Sequence, residues 1–305
     1  MSRPLQIGVQ LPEVERDVRW PEILDMVRAI EDLGYDSIWL GEHLLYRWPD
    51  RPARGPWEAW TSLAAIAAAT SRVSFGPLVA CTNFHNPAVL AKQATTIDEI
   101  SAGRFVLGLG AGWNETEFRA FGFPFDHRID RFEEAFTIIR TLLRDGSIDF
   151  DGRYYQVRDC ELLPRPSRPG GPPLMIGSRG PRMLRIALPH VDSWNVWFSD
   201  TGNRPDGVPA LRELVDSVCH EVDRDPSAVE RTVAVSVRLA GGSGRIQGDD
   251  GDAPVSPLEG STEVMTAAMR AYAAEGISHV QLVLDPITRA SIEAFAPVLA
   301  ALDAG

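Results

Sequence analysis

Short runs of apolar and β-branched residues alternate with longer amphipathic stretches along most of the chain. Short apolar runs between turn residues are typical of buried strands, and the longer stretches have the apolar period of helices packed on one face. The pattern predicts strands at 5–11, 36–43, 73–81, 104–112, 173–178, 193–198, 232–240 and 277–284. It predicts helices at 21–34, 57–70, 86–101, 131–144, 180–191, 208–222, 261–276 and 288–302.

This strand-then-helix order favours an α/β fold with parallel strands and crossover helices. Eight such units in 305 residues predict a single (β/α)8 TIM barrel domain that spans residues 1–305. A doubly wound sheet is the competing architecture, but it carries a phosphate-binding fingerprint at its first βα turn, and this chain has LPEVERDVRW there. Two predicted insertions interrupt the order: a hairpin with a proline-rich strap at 145–172, and a loop at 241–260.

Composition and charge narrow the function classes. The formal net charge of −12 argues against a nucleic-acid partner, and basic residues that would face a lipid surface are not prominent. The three cysteines are far apart and in no metal-ligand spacing, and the six histidines form no zinc motif, so we expect neither disulfides nor a metal. The chain begins without a charged-then-apolar leader, and its longest apolar run, 63–69, is too short for a bilayer, which predicts a cytoplasmic protein without membrane contact.

The most unusual local pattern is LGLGAGWNE at 107–115. A dinucleotide fingerprint, G-x-G-x-x-G, would require a third glycine where the chain has Trp113 or Glu115, so that interpretation fails. Because successive side chains of a strand point to opposite faces, Gly108, Gly110 and Gly112 share one face. If this face points into the barrel, it leaves room for a flat ring system; alternatively, the glycines relieve crowding where the strand bends.

Two other strand ends carry candidate chemistry. Glu42 and His43 end the second strand, where a barrel delivers catalytic groups, and a histidine there can move a proton while the carboxylate adjusts its charge; a satisfied polar pair is the alternative. The stretch IGSRGPR at 176–182 leads into a helix whose backbone N–H groups and two arginines suit a phosphate, although a helix start alone explains its Gly-Pro.

Tryptophans are concentrated near two strand ends and could border an apolar substrate pocket, although most tryptophans serve packing. Five of the eight lie at positions 48, 57, 60, 194 and 197. No G-x-S-x-G elbow is present, which removes the commonest serine hydrolase interpretation.

Several of these stretches together resemble the luciferase-like monooxygenase superfamily of TIM-barrel flavin and deazaflavin enzymes. The resemblance is carried by AIEDLGYDSIWLGEH (29–43), NPAVLAKQATTIDEISAGRFVLGLGAGWNETEFRAFGFPF (86–125), DGRYYQVRD (151–159) and PLMIGSRGPRMLRIALPHVDSWN (173–195). The second of these, with EAWTSLAAIAAAT, looks most like the actinobacterial F420-dependent branch, although FMN-using relatives share much of the pattern.

The resemblance implies roles for individual residues. His43 matches the histidine beside the reactive carbon of the ring, and Glu42 stands where many F420 enzymes have aspartate. A non-prolyl cis peptide that backs the ring is expected at Pro77–Leu78. The cofactor would be contacted from the ends of strands three, four and five, by Cys81 and Thr82, by Gly112, Trp113 and Asn114, and by Gly177, Ser178, Arg179 and Gly180.

The expected function is hydride transfer between coenzyme F420 and a small organic substrate, apolar or aromatic in character. Some F420 dehydrogenases carry a glutamate at the position of Trp113, so a sugar-phosphate substrate is not expected here. The alternatives are a reduced-FMN-dependent monooxygenase that uses oxygen and a non-catalytic flavin-binding protein. A homodimer and a separate reductase that supplies reduced cofactor are the expected partners.

Overall fold

The structure is a computed structural model that describes residues 3–243 and 255–305. Its strands are β1 (Gln6–Gln10), β2 (Ser37–Leu40), β3 (Tyr46–Trp48), β4 (Arg51–Arg54), β5 (Ser74–Pro77), β6 (Ala80–Cys81), β7 (Leu107–Gly110), β8 (Ser147–Asp151), β9 (Gln156–Glu161), β10 (Leu174–Gly177), β11 (Ser193–Val196), β12 (Glu230–Arg238) and β13 (His279–Asp285). Its helices are α1 (Trp20–Asp32), α2 (Ala59–Ala69), α3 (Pro87–Ile100), α4 (Glu115–Phe121), α5 (Arg128–Asp145), α6 (Pro181–Ala187), α7 (Val208–Glu221), α8 (Thr262–Ala274) and α9 (Arg289–Asp303).

The main sheet is parallel and runs in the order β5-β2-β1-β13-β12-β11-β10-β7-β6. Its two end strands, β5 and β6, are consecutive parts of the single strand predicted at 73–81. The sheet therefore closes on itself, and a parallel bridge between Phe75 and Phe105 joins β5 to the fourth barrel strand. The predicted (β/α)8 barrel is confirmed, with its third strand divided.

Strand three divides at Leu78 and Val79, which are joined by a non-prolyl cis peptide bond. The bond was expected one residue earlier, at Pro77–Leu78, and that prediction is wrong. Pro77 is still part of β5, where it pairs with Leu40 of β2, and the Leu78 amide donates to the Leu40 carbonyl at 2.7 Å. Regular pairing thus continues to Leu78, and the chain departs from the ladder only after it.

Glycines on β7 and β10 accommodate the displaced part of strand three. A Cβ atom at Gly110 would lie 2.8 Å from Val79 Cγ2, and one at Gly177 would lie 2.9 Å from the same atom. A Cβ at Gly108 would overlap the Pro77 carbonyl oxygen. At these positions the alternative that the glycines relieve crowding is confirmed, because the space is filled by strand three itself.

A capping residue starts one helix of the outer ring, and an arginine fixes the end of another by hydrogen bonds. Asn86 caps α3 by accepting from the amides of Ala88 and Val89, as its Asn-Pro start predicts. At the amino-terminal end of the barrel, Arg104 donates to backbone carbonyls of Ala67 and Val73, which ties α2 to the strand that follows it. The ISAGR stretch of the family pattern therefore has a structural role here.

The elements outside the regular strand–helix order were predicted only in part. The hairpin expected in the 145–172 insertion is confirmed as β8 and β9. The antiparallel pair β3–β4 and helix α4 were not predicted. Of the predicted 241–260 loop, residues 244–254 lie outside the described part of the chain. No helix within 3–243 and 255–305 combines the length and the apolar character that crossing a membrane requires.

Candidate active site

A cleft of about 550 Å³ opens at the carboxyl ends of the barrel strands. This is the end at which barrel enzymes carry their active sites. The cleft brings together most of the residues expected at the site: Glu42, His43, Leu78, Cys81, Gly112, Trp113, Gly177, Ser178, Arg179 and Gly180.

Three of the expected cofactor contacts do not line the cleft. Thr82 is fully buried, and its hydroxyl donates to the Gly110 carbonyl. Asn114 caps α4 and donates to the Leu45 carbonyl, so its side chain joins the loop after strand two to the loop after strand four. Pro77 lies behind the cleft surface, with its carbonyl facing Gly108. These residues support the cleft from behind and have no exposed surface in it.

His43 is held by a carboxylate that comes from a distant part of the chain. Its Nδ1 lies 3.0 Å from Oε1 of Glu117 on α4, and the other oxygen of Glu117 accepts from the Leu44 amide at 2.8 Å. Glu117 is almost completely buried, so both of its oxygens are fixed. Because Nδ1–H donates a hydrogen bond to the carboxylate, Nε2 is the ring atom left to exchange a proton with a ligand.

Opposing effects act on the protonation of His43. Burial, the largest of them, lowers its pKa, but the hydrogen bond that it donates to Glu117 and the negative charges of Glu13, Glu117 and Glu42 raise it. On balance, the pKa of His43 is raised above the usual value of a histidine. Protonated His43 is therefore favoured more than in a solvated imidazole, which suits a group that donates a proton.

Glu42 was expected to adjust the charge of His43, and its negative charge does raise the pKa of His43, although its hydrogen bonds go to other groups. Its Oε1 accepts from Trp60 Nε1 at 2.6 Å and lies 2.7 Å from His85 Nε2, while its Oε2 accepts from the Cys81 amide at 2.6 Å. Glu42 thus fixes β6 to α2 and to the segment after β6. It reaches His43 only through its charge, and its main contribution is to position the Cys81 backbone at the cleft.

The short segment after the cis peptide forms the inner wall of the cleft. Leu78, Val79 and Cys81 present apolar atoms there, and Val79 is backed by the glycines of β7 and β10. Burial raises the pKa of the Cys81 thiol well above its usual range, so the thiol stays protonated. This wall is apolar and offers no nucleophile.

One end of the cleft carries positive charge, but its arrangement differs from the expected phosphate loop. The Gly180 amide, expected to be free, donates to Ser178 Oγ at 3.1 Å. Arg179 is exposed and pairs with Asp200 at 2.8 Å. Arg182 pairs with Asp130 on α5 and does not line the cleft.

Arg128, at the start of α5, lines this end of the cleft in place of Arg182. Its guanidinium stacks over Phe125 at 4.2 Å and donates to the Gly112 carbonyl. The cations of this end are therefore Arg128 and Arg179, contributed by the loops after strands four and five.

Two aromatic rings pack against His43. The ring of Tyr46 lies 4.7 Å from that of His43, and Trp113 lies 5.4 Å away, edge to face. Trp197 and Val14 complete an apolar rim. Tyr46 and Trp113 thus give His43 apolar neighbours in addition to the nearby carboxylates of Glu13 and Glu117.

Sequence reasoning missed three functional side chains, Glu13, Glu117 and Arg128. Glu13 lines the cleft and is held by Gln10, and a side chain at Gly41 would overlap its carboxylate. Burial inside a loop is not visible in a single sequence, so Glu13 gave no signal. Across the described ranges, no group of three or more histidine, cysteine or acidic side chains is arranged to hold a metal ion.

Comparison with known proteins agrees with this geometry. The model of the luciferase-like monooxygenase family matches residues 5–244. The F420-dependent glucose-6-phosphate dehydrogenase of Intrasporangium calvum is 34% identical over 172 residues, which cover 54% of this chain and 50% of the relative. The chain spans about half the length of the curated relatives that it first matches.

Two solved structures have the same fold. An F420-dependent secondary alcohol dehydrogenase in complex with an F420–acetone adduct superposes with a TM-score of 0.80 at 21% identity, over 99% of both chains. A monooxygenase from Streptomyces bottropensis superposes with a TM-score of 0.79 at 20% identity, over 97% of this chain and 99% of the other. With its barrel, its divided third strand and a family match over most of its length, the chain belongs to the luciferase-like monooxygenase family.

Proposed function

We propose that the protein transfers a hydride between coenzyme F420 and a small organic substrate with an apolar or aromatic body. The observation that carries the proposal is the His43–Glu117 pair, which sets a proton-exchanging group at the mouth of the barrel. The similarity to F420-dependent glucose-6-phosphate dehydrogenases, 34% and 36% identical over the matched residues, supports the choice of cofactor.

The cleft fits a deazaflavin in shape and charge. Val79 is seated among glycines that have no room for a Cβ, so the inner wall presents a flat apolar surface against which a ring can lie. Arg128 and Arg179 line the cleft together with His43, and their guanidiniums would hold a phosphate group. Glu13, Glu42 and Glu117 act on His43 through their negative charges.

When bound, F420 supplies or accepts the hydride. His43 moves the accompanying proton: in reduction, protonated Nε2 donates to the substrate oxygen as it gains negative charge, and in oxidation neutral Nε2 accepts the hydroxyl proton. Glu117 keeps the second ring proton at Nδ1 in both directions and stabilises the imidazolium. The aromatic rim excludes water from this exchange.

The substrate class follows from the groups around His43. Tyr46, Trp113 and Trp197 offer apolar faces, and the nearby charges of Glu13 and Glu117 repel anions. We therefore propose a neutral alcohol or carbonyl compound with an apolar or aromatic body, and we do not expect a sugar phosphate. The indole of Trp113 occupies the position at which some F420 dehydrogenases carry a glutamate.

A cofactor titration tests the proposal. F420 and FMN, in oxidised and reduced forms, are added to the purified protein, and binding is followed by quenching of tryptophan fluorescence, to which Trp113 contributes from the cleft. We expect saturable binding of F420 and weaker binding of FMN. Tight binding of reduced FMN together with no binding of F420 would overturn the proposal.

A reduced-FMN-dependent monooxygenase is the second candidate, because a monooxygenase shares the fold at a TM-score of 0.79. Such an enzyme would consume oxygen when a flavin reductase and a substrate are present, whereas a hydride-transferring enzyme would not. The His43→Gln variant separates both from a simple flavin binder: an enzyme loses turnover and keeps its ligand, whereas a binder has no turnover to lose.

We further propose that the protein forms a homodimer and receives reduced cofactor from a separate reductase. Val89 and Ile100 expose large apolar side chains on α3, which supports a contact between copies. The apolar face of α2, by contrast, is used inside the subunit, where Trp60, Leu63 and Ile66 are buried. Sedimentation velocity measures the oligomeric state, and a Val89→Glu variant that leaves it unchanged would contradict a dimer through this face.

A further inference from the structure

A second cleft, of about 540 Å³, lies at the opposite end of the barrel. It is lined by Leu174, the first residue of β10, whereas Gly177, the last residue of the same strand, lines the active-site cleft. Three residues of extended strand separate these positions by about 10 Å. This amino-terminal cleft is therefore distinct from the proposed cofactor site.

The amino-terminal cleft is lined by basic side chains. Arg140 and Arg144 lie one turn apart near the end of α5, and Arg168 and His190 face them. Acidic groups are also present, but they are engaged: Asp98 pairs with Arg168, Asp145 pairs with Arg144, and Asp192 accepts from the Leu174 amide.

Arg140 has no such partner. Within residues 3–243 and 255–305 it makes no hydrogen bond or ion pair, although burial lowers the pKa of its guanidinium. Arg224, which does not line the cleft, donates through Nη2 to the Val191 and Ala228 carbonyls. Burying part of a charged group without a partner is unfavourable, so Arg140 points to a missing anion.

The lowered pKa of His190 agrees with this arrangement. Burial lowers its pKa first, and the positive charges of Arg140, Arg144 and Arg224 lower it further. The cleft thus carries a positive field in a chain whose formal net charge is −12. The net negative charge of the protein repels a second acidic protein, whereas a small anion can enter the cleft and meet only the local positive charge.

We propose that the amino-terminal cleft binds a small phosphorylated molecule, with its phosphate between Arg140, Arg144 and His190. A phosphate dianion offers several acceptor oxygens and two charges, which suits two guanidiniums on one helix face better than a single carboxylate does. The volume accommodates more than the phosphate, and the strap at Pro169–Pro173 supplies apolar surface for the rest of the ligand.

Isothermal titration calorimetry with inorganic phosphate tests this site. The titration is run at low and constant ionic strength and without flavin cofactor. We expect saturable binding in the wild type and at least tenfold weaker binding of acetate. Arg140→Gln should weaken phosphate binding by about tenfold or more, the loss of one charge-assisted contact. Arg140→Lys, which keeps the charge, should retain most of it.

The matched control is Arg28→Gln, because Arg28 is an exposed arginine on α1, far from the cleft. It should bind phosphate as the wild type does. The proposal is overturned if no saturable binding occurs, if Arg140→Gln and Arg28→Gln behave alike, or if Arg179→Gln abolishes the phosphate signal instead. It is equally overturned if Arg140→Gln changes the sedimentation coefficient and leaves phosphate binding intact, since the cleft would then be a contact between copies.

Discussion

Replacing Glu117 with glutamine perturbs the proton-exchanging pair with almost no change in shape. Both carboxylate oxygens are in use, one 3.0 Å from His43 Nδ1 and the other 2.8 Å from the Leu44 amide. Glutamine has one oxygen and one NH2 group, so in either orientation one of these donors loses its acceptor. The negative charge that stabilises protonated His43 is also removed.

The size of the effect follows from these contacts. A hydrogen bond to a charged group contributes about 1.5–3 kcal/mol, and one pKa unit corresponds to about 1.4 kcal/mol. The pKa of His43 should therefore fall by about 1–2 units in the Glu117→Gln variant. The unpaired buried donor should also lower the free energy of unfolding by about 1–3 kcal/mol. Glu117 is 1% exposed, so solvent does little to reduce either effect.

Two measurements check this prediction. The imidazole resonances of His43, followed by NMR in the cofactor-free protein, give its pKa without reference to the reaction. The pH profile of kcat/KM for substrate reduction should lose activity as His43 deprotonates, so its descending limb should move to lower pH by the same 1–2 units. Glu115→Gln is the control, since Glu115 is exposed in the same helix turn. An unchanged His43 pKa in folded Glu117→Gln protein would refute the reasoning.

Three further changes test the interior of the barrel and the support of its cleft. Gly110→Ala places a Cβ 2.8 Å from Val79 Cγ2 and should lower the free energy of unfolding by about 1–3 kcal/mol. A second substitution, Val79→Ala, should restore most of this loss. If the two substitutions lower the free energy of unfolding additively, the packing described here is wrong. Glu42→Gln cannot satisfy Trp60, His85 and the Cys81 amide together, so urea unfolding should show a loss of about 1–3 kcal/mol, and an unchanged midpoint would count against this role. Burial holds the pKa of His279 at about 4, below its usual 6.5, so the unfolded chain takes up a proton first and stability should fall by roughly 3 kcal/mol between pH 6.5 and 4. His279→Asn should flatten that dependence, and parallel slopes in the two proteins would exclude His279 as its source.

The barrel was predictable because each unit repeats the same signal. A short apolar strand and an amphipathic helix recur with similar spacing, so an error in one unit does not alter the architecture. The strand predicted at 104–112 is observed as Leu107–Gly110, and the one at 193–198 as Ser193–Val196. Residues that extend beyond the ladder belong to the cleft, which explains why the predicted strands were too long at that end.

The position of His43 could be predicted, but its partner could not. His43 and Glu117 are 74 residues apart, and their contact depends on where α4 lies. The local pattern even favours another interpretation, since Glu117 stands three residues after the cap Asn114, as in a capping box that bonds back to the cap amide. In the structure the Glu117 carboxylate instead accepts hydrogen bonds from His43 and from the Leu44 amide.

The hairpin β3–β4 shows a different limit. Its strands contain or border Pro49 and Pro52, and prolines argue against a strand unless it lies at an edge. A two-stranded sheet consists only of edges, so the prolines are tolerated there. This hairpin carries Tyr46 to the cleft, and the sequence alone therefore concealed part of the aromatic rim.

The division of strand three has a consequence for how this protein can diversify. The residues that close the barrel into a ring also form the inner wall of the cleft. A mutation there therefore affects both barrel closure and ligand binding. The rim of Tyr46, Trp113 and Trp197 lies outside the main sheet, on the β3–β4 hairpin and on loops, and carries no such double constraint. On the proposed function, new substrate preferences evolve at the rim while the inner wall, and with it the choice of cofactor, stays fixed.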